Sequence, residues 1–444
     1  MIRKEVDGCG FSNHPENMKR RVVISSIGIA TSLGDEIDEV FERIEKKECG
    51  IHTIADEKVR RDDFPFAGIM DYVETRKMDI QGKNVLNRTN KLLAYSLLKA
   101  LKMYGYEEGM FADNDAIYIG NQMQNVDEDV LKVVINNCIT EDRIDLSKIG
   151  AVLKKIPPSS GIKILTTTSS HTIGKHLEIH GEGNINYTGS TSGLSNLYLA
   201  YNQVASGRIN RAIVCAANSP FSSYEYYCLC QEGRLRKSSV GEKESELLYP
   251  FDKKHCGTVY SEGSATFIVE SEESALKNNR KILCYIEGGA LNTFPGETYF
   301  SLESKGFEYT MKCACENSNL AFSDIDFAFT NANSIPEWDN EELKAMLQLS
   351  GNGKISLSNS KANLGDSGPV AALHDCALAV YSLQNEKYLS LKNDVEPDII
   401  ENSNIGTYFE APEKYQYVLV NSAGVGGSYC SLILSRNGGA SIEE

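Results

Sequence analysis

Residues 184–193 read Asn-Ile-Asn-Tyr-Thr-Gly-Ser-Thr-Ser-Gly and feed an apolar run from Leu194 to Val204. Small residues let a backbone turn sharply and let a helix N-terminus sit deep in a core. Such a terminus offers unpaired N–H groups and the positive end of a dipole, which suit a nucleophile or an oxyanion. Ser190 holds that place. Its hydroxyl equally fits an ordinary helix N-cap. Two further polar loops adjoin apolar segments, Asn331-Ala332-Asn333 and Gly365-Asp366-Ser367-Gly368. Loops of this kind at strand C-termini are where α/β folds bind and react.

Other reactive side chains offer less. The chain has 12 cysteines and no CxxC pair, so structural zinc is not expected. Cys215 and Cys284 lie in apolar runs and read as buried thiols. His171, His176 and His180 do not share one helix face, which argues against a metal site. His374 lies inside an apolar helix and reads as a surface or satisfied core histidine. Cys228 and Cys230 sit among Tyr224, Tyr226 and Tyr227 and read as packing.

The 444 residues are 41% hydrophobic, ample for two or three domains or one large duplicated one. A net charge of −16, with no run of Lys and Arg that offers the footprint nucleic acid needs, argues against a phosphate-binding surface for nucleic acid. Residues 1–19 are polar and lack the apolar core of a secretory signal, and no apolar run is long enough to span a bilayer. Unpaired cysteines and no signal imply a reducing, cytoplasmic setting.

The elements that must position these loops repeat. Arg20–Ile29 is a strand running into a Gly-containing loop, Asp35–Lys46 an amphipathic helix and Asn87–Tyr104 a second helix. Ala116–Gly120 is a strand, 126–162 an inserted cap with helices, and Leu165–His180 a helix. Strands Arg211–Ala217 and Ala265–Glu270 close the first half. The second half offers strand Ile282–Gly289, helix Gly306–Asn317, a strand ending in a polar loop over Asp326–Asn333, helix Val370–Leu383, a strand and glycine turn over Tyr417–Ser428 and strand Ser431–Leu434. The order occurs twice. Strands separated by helices predict parallel sheets with helices on their faces. A duplicated unit brings the helix entrances at Ser190 and Gly368 near a pseudo-two-fold axis. The domains expected are an N-terminal extension 1–19, a first half 20–271, a second half 272–437 and a tail 438–444.

The chain resembles the β-ketoacyl synthase family of the thiolase fold, over roughly residues 20–436. The resemblance rests on ordered blocks: Arg21–Ile24 through Ser32-Leu33-Gly34; Gly189–Gly193; Pro250-Phe251-Asp252 with Gly257 and Glu262-Gly263; Asn331-Ala332-Asn333; Lys361–Gly365; and Asn421–Gly427. It implies an α/β fold of duplicated α-β-α-β-α layered halves. In that family a Cys at the helix entrance carries the acyl chain as a thioester, and two His promote decarboxylation and stabilise the enolate. Here the Cys position reads Ser190, the first His position Asn333 and the second Asp366. A Ser hydroxyl without a base is a poor nucleophile. Asn donates a hydrogen bond but moves no proton. An Asp carboxylate repels the anions that this chemistry creates.

The resemblance extends to neighbouring positions. Two Phe positions of the glycine turn, one a gate over the Cys, read Ala423 and Val425. Gln122, Met123, Asn125 and Thr188 fall at the acyl tunnel or dimer interface, with Met123 either a tunnel plug or an ordinary interface contact. Lys361 either neutralises Asp366 or makes a structural ion pair, and Glu262 reads as structural. The implied function is a non-condensing subunit, similar to the chain-length factors of type II polyketide synthases and inactive alone. It pairs with an active ketosynthase and sets the length of a polyketide or fatty acyl chain. An acidic acyl carrier protein then docks mainly on the partner, because like charges repel. Chain-length factors usually carry Gln where this chain has Ser190. The alternative is a Ser190-dependent acyltransferase or hydrolase, which needs a base at about 3 Å, and Asp366 is the candidate. A third reading is a protein that only holds an acyl product. No cofactor, metal or membrane partner is implied.

Overall fold

The computed structural model describes residues 20–73, 78, 80, 85–111, 114–121, 128–140, 143–351, 355–391 and 410–437. The expected extension and tail, and Gln122, Met123 and Asn125, lie outside those residues.

Ten strands form the main sheet. The first half supplies β1 (Val22–Ala30), β2 (Asp115–Asn121), β3 (Gly183–Asn186), β4 (Arg211–Asn218) and β5 (Gly263–Ser271). The second supplies β6 (Cys284–Thr293), β7 (Phe327–Phe329), β8 (Ser356–Ser358), β9 (Tyr417–Gly424) and β10 (Ser428–Ser435). Their spatial order is β8-β7-β9-β10-β6-β1-β5-β4-β2-β3. Each half therefore has the same topology, and the halves meet where β1 and β6 pair antiparallel from Val22↔Ile286 to Ile24↔Cys284.

The sheets are mixed, which corrects the parallel expectation. β3, β2 and β4 run parallel, as do β8, β7 and β9. β5 and β10 run antiparallel to their neighbours. The reason is clearest at β9–β10, whose connection is only Val425–Gly427. A parallel pair needs a crossover of a dozen or more residues, so the short turn forces a hairpin.

All nine residues of β1 are buried, as its near-continuous apolar run VVISSIGIA requires of a strand covered on both faces. One face of each half packs on helices Ser192–Ala205 and Ala371–Asn385, which share a single core with strands of both halves. Ala371–Asn385 is apolar nearly all round, the pattern of a helix enclosed by protein. The outer faces carry Arg88–Tyr104 on the first half and Ser304–Asn317 on the second. Asn87 caps Arg88–Tyr104 by accepting from Asn90 N at 2.9 Å, and left-handed Gly105 ends it. The result is the layered helix–sheet–helix–sheet–helix arrangement.

The inserted segment holds helices Glu128–Cys138, Ile149–Leu153 and Ser160–Lys163. It also holds a hairpin the sequence did not suggest, Ile139–Thr140 against Arg143–Ile144. Asp326–Asn333 is strand only over Phe327–Phe329. Beyond it the amides leave the ladder for side-chain carboxylates. No helix of the described residues is long and apolar enough to cross a membrane.

The two helix entrances touch. A Cβ on Gly193 would lie 2.4 Å from Pro369 O and 2.9 Å from Leu373 Cγ. Gly193→Ala should therefore destabilise the chain by about 2–3 kcal/mol in urea unfolding, as overpacking does. Gly150→Ala, at a helical glycine with nothing within 4 Å, should be neutral or stabilising by about 0.5–1 kcal/mol. Equal effects would disprove the close approach.

Candidate functional site

Ser190 lies in the 3-10 turn Gly189–Thr191, which runs directly into helix Ser192–Ala205. The N-cap reading is thereby corrected: the cap position is Thr191, and no side chain caps it. Its neighbours staple the turn. Ser192 Oγ donates to Gly189 O at 2.7 Å and accepts from Thr188 N at 2.8 Å. Thr191 Oγ1 donates to Thr188 O at 2.7 Å and meets Ser428 Oγ at 2.8 Å. Thr188 Oγ1 meets Ser195 Oγ at 3.3 Å. Ser190 Oγ, half-buried, makes no hydrogen bond to a described residue. The backbone of Ser190 is held from β9, where Ser422 Oγ donates to Ser190 O at 3.1 Å and a Cβ on Gly424 would lie 3.1 Å from Ser190 N.

Ala423 is fully buried in the second-half core, and its N–H donates to Asn331 Oδ1 at 2.8 Å. Val425 is half-buried, and its Cγ2 is the nearest atom to a Cβ built on Gly189, at 3.9 Å. Of the two, Val425 stands beside the Ser190 turn.

The loop after β7 is held by two carboxylates that sequence reasoning missed. Glu342 accepts from Asn331 N and Ala332 N, both at 2.9 Å. Asp339 accepts from Asn333 N at 2.9 Å and Ser334 N at 3.1 Å. The signal was their i, i+3 spacing on helix Pro336–Ser350, which puts both on one face. Both are fully buried. Burial pushes the Glu342 carboxyl up to about 7 and raises that of Asp339.

Asn333 and Asp366 meet in this cradle. Asn333 Nδ2 donates to Asp366 Oδ2 at 2.8 Å, and Gly368 N donates to Asp366 Oδ1 at 2.8 Å. Asp366 is 4% exposed, and its backbone bridges to Tyr260. Asn333 Oδ1 is buried with no partner among the described residues. Lys361 does not touch Asp366. Its ammonium donates to Asp375 Oδ2 at 3.2 Å and Thr330 O at 3.1 Å, so the ion-pair alternative is the one observed. Burial opposes the Lys361 charge, yet Asp375 and then Asp366 hold its pKa above the ordinary lysine value.

Glu262 is 3% exposed. It accepts from Arg88 Nη2 at 2.8 Å, Met70 N at 2.9 Å and Ser219 Oγ at 2.6 Å. Among the lining residues of the cavities of 740 and 1190 Å3 elsewhere in the fold, only the first set includes Glu262, and neither includes Ser190, Asn333 or Asp366. His374 is a satisfied core histidine. Its Nε2 meets Ala30 O at 3.1 Å and Ser264 O at 3.2 Å, and its Nδ1 meets Ser367 Oγ at 3.3 Å. Burial pushes its pKa down to about 4. Burial also pushes the Cys215 thiol up to about 12 and raises that of Cys284.

Residues 19–275 match the family model of the beta-ketoacyl synthase N-terminal domain, and residues 283–393 match that of its C-terminal domain. The chain belongs to the β-ketoacyl synthase family. It is 24% identical to a 3-oxoacyl-[acyl-carrier-protein] synthase homolog of Saccharomyces cerevisiae, over 94% of this chain and 99% of that protein. It is also 24% identical to 3-oxoacyl-[acyl-carrier-protein] synthase 1 of Haemophilus influenzae, over 95% of this chain and all (100%) of that one. Its fold is the thiolase-like ketosynthase fold. A structure described as the ishigamide ketosynthase/chain length factor superposes with a TM-score of 0.80 at 17% identity, covering 95% of this chain and 100% of that chain. A type II polyketide synthase acyl-carrier protein in complex with its ketosynthase superposes with a TM-score of 0.79 at 15% identity, covering 94% and 99%.

Two outcomes test this geometry. Asp366→Gly strands the Asn333 amide and the Gly368 N–H, so unfolding free energy should fall by about 2–4 kcal/mol. Added formate or acetate should restore part of the loss, and a variant blind to both would mean Asp366 does not act as the acceptor. For His374, the unfolded imidazole protonates near its ordinary 6.5 while the folded one stays neutral to about 4. The wild type should therefore lose stability, relative to His374→Gln, as pH falls from 6.5 to 4, by about 3 kcal/mol in all. A pH-independent difference in urea midpoints would refute the buried neutral form.

Proposed function

We propose that this chain is a non-condensing ketosynthase-like subunit that pairs with an active β-ketoacyl synthase and shapes its acyl tunnel, in the manner of a chain-length factor. The observation that carries the reading is the carboxylate of Asp366, bonded at 2.8 Å to both Asn333 Nδ2 and Gly368 N. Condensation in this family develops negative charge beside the nucleophile, and a fixed anion there opposes it. Asn333 supplies no proton. Ser190 has neither a thiol nor a hydrogen-bonded base.

Further support comes from the sheet edge. β3 ends the sheet, is only partly buried and runs into exposed Tyr187 beside the Ser190 turn. An unpaired edge strand is a template for another chain. In the proposed complex the partner carries the Cys and both His, and takes the acidic acyl carrier protein because this chain carries −16. Thr188 and Val425 of this chain border the shared tunnel. Structural neighbours described as ketosynthase/chain length factors fit the same role. A Ser190-dependent acyltransferase needs a base, and Asp366, its candidate, spends both oxygens on Asn333 and Gly368.

Native mass spectrometry of the chain co-expressed with a ketosynthase from its gene neighbourhood, with malonyl- and acyl-carrier protein, tests the reading. The expected species is a one-to-one heterodimer acylated only on the partner. Ser190→Ala should leave product formation within about twofold. A homodimer acylated on Ser190 would overturn the proposal.

A further inference from the structure

A small polar cavity lies at the far end of β2 and β4 from Ser190. Gly120, near one end of β2, meets Ser192 and Gly193; Asp115, at the other end, lines the cavity about 16 Å away. The cavity has a volume of 360 Å3. Arg20, Arg211, Lys277 and Arg280 line it, with the carboxylates Asp115 and Glu273.

Two of the guanidiniums are held by aromatic rings. Arg280 lies over Tyr104, 4.4 Å from the ring centroid, and Arg211 over Phe111 at 4.8 Å. Tyr104 and Phe111 are themselves stacked, with centroids 6.2 Å apart. Hydrogen bonds lock the column: Arg280 Nη1 donates to Tyr104 O at 2.6 Å and Arg211 Nη2 to Met110 O at 2.8 Å. Arg280 Nη2 also donates to Met110 Sδ at 3.0 Å, so stacking and hydrogen bonds together fix both positive charges at the cavity wall.

The charges do not balance. Asp115 is spent on Arg211, at 3.1 Å from its Nε. Arg280 Nε is buried with no partner among the described residues. Among the described residues the Arg20 side chain donates only to Asn210 Oδ1, at 3.3 Å. Neither Arg20, Arg280 nor Lys277 has a carboxylate partner among the described residues. Three uncompensated cations thus face one cavity with a single rim carboxylate, Glu273, in a chain of net charge −16. Cations so placed repel one another until an anion joins them.

We infer that this cavity binds a phosphate group. A tetrahedral oxyanion accepts from donors arriving from different directions, here the exposed Arg20 guanidinium and Lys277 ammonium, over the fixed positive charge of Arg280. The volume leaves room beyond the ion for the first atoms of a phosphate ester. The site is remote from Ser190 and independent of the subunit role.

Calorimetric titration of the full chain with inorganic phosphate at pH 8 and low ionic strength tests it. Saturable one-site binding is expected, weakening with added KCl. Lys277→Gln and Arg20→Gln alter exposed side chains and should each weaken binding about tenfold. Lys46→Gln, remote and paired with Glu42, should leave it unchanged. Methyl phosphate binding as well as phosphate or better would identify an ester-borne group; much weaker binding would identify the free ion. No saturable heat, or equal affinity in all three variants, would overturn the inference.

Discussion

Four consecutive backbone amides, Asn331 to Ser334, donate to two carboxylates one turn apart on a single helix. The rest of the site follows from that cradle. It sets the Asn333 side chain against Asp366, and Asp366 in turn takes the Gly368 N–H. That bond shapes the second helix entrance, whose Pro369 carbonyl presses on Gly193 at the first. Buried carboxylates are costly unless their lone pairs are used, and here the amides use them. The cradle is rigid because its alternative is an unsatisfied charge in the core.

The same rule governs the other buried ions. Lys361 is matched by Asp375, and Glu262 by Arg88 with two further donors. These pairs add specificity of geometry more than net stability. Lys361 also donates to Thr330 O, one residue before the amides that Glu342 and Asp339 hold.

The duplicated halves share topology but not their edges. β8 is buried throughout, and Ser358 Oγ on it donates to Leu389 O at 2.7 Å. β3, its counterpart, has no such cover among the described residues. Open edges invite pairing and covered ones refuse it. Among the described residues the asymmetry leaves the β3 edge, next to the Ser190 turn, the more open of the two.

Much of this was legible in local sequence. Near-continuous apolar runs such as VVISSIGIA mark strands covered on both faces, and the repeated order of elements exposes the duplication. The small-residue turn at Ser190 and the loops at Asn333 and Asp366 could be picked out because their residue types break the apolar pattern around them. What local pattern does not carry is who pairs with whom. Strand direction depends on the length and path of connections, so the parallel expectation failed at β5 and β10. The partner of Lys361 is Asp375 rather than the nearer-in-sequence Asp366, because helix Ala371–Asn385 brings Asp375 back across the core. Asp339 and Glu342 look like ordinary surface acids on a helix until the fold buries them under a loop. The sequence by itself determined the elements, their duplication and the residue types at the site. Only the tertiary structure decided which buried charges meet, because burial and distance, not order along the chain, set the cost of leaving a charge alone.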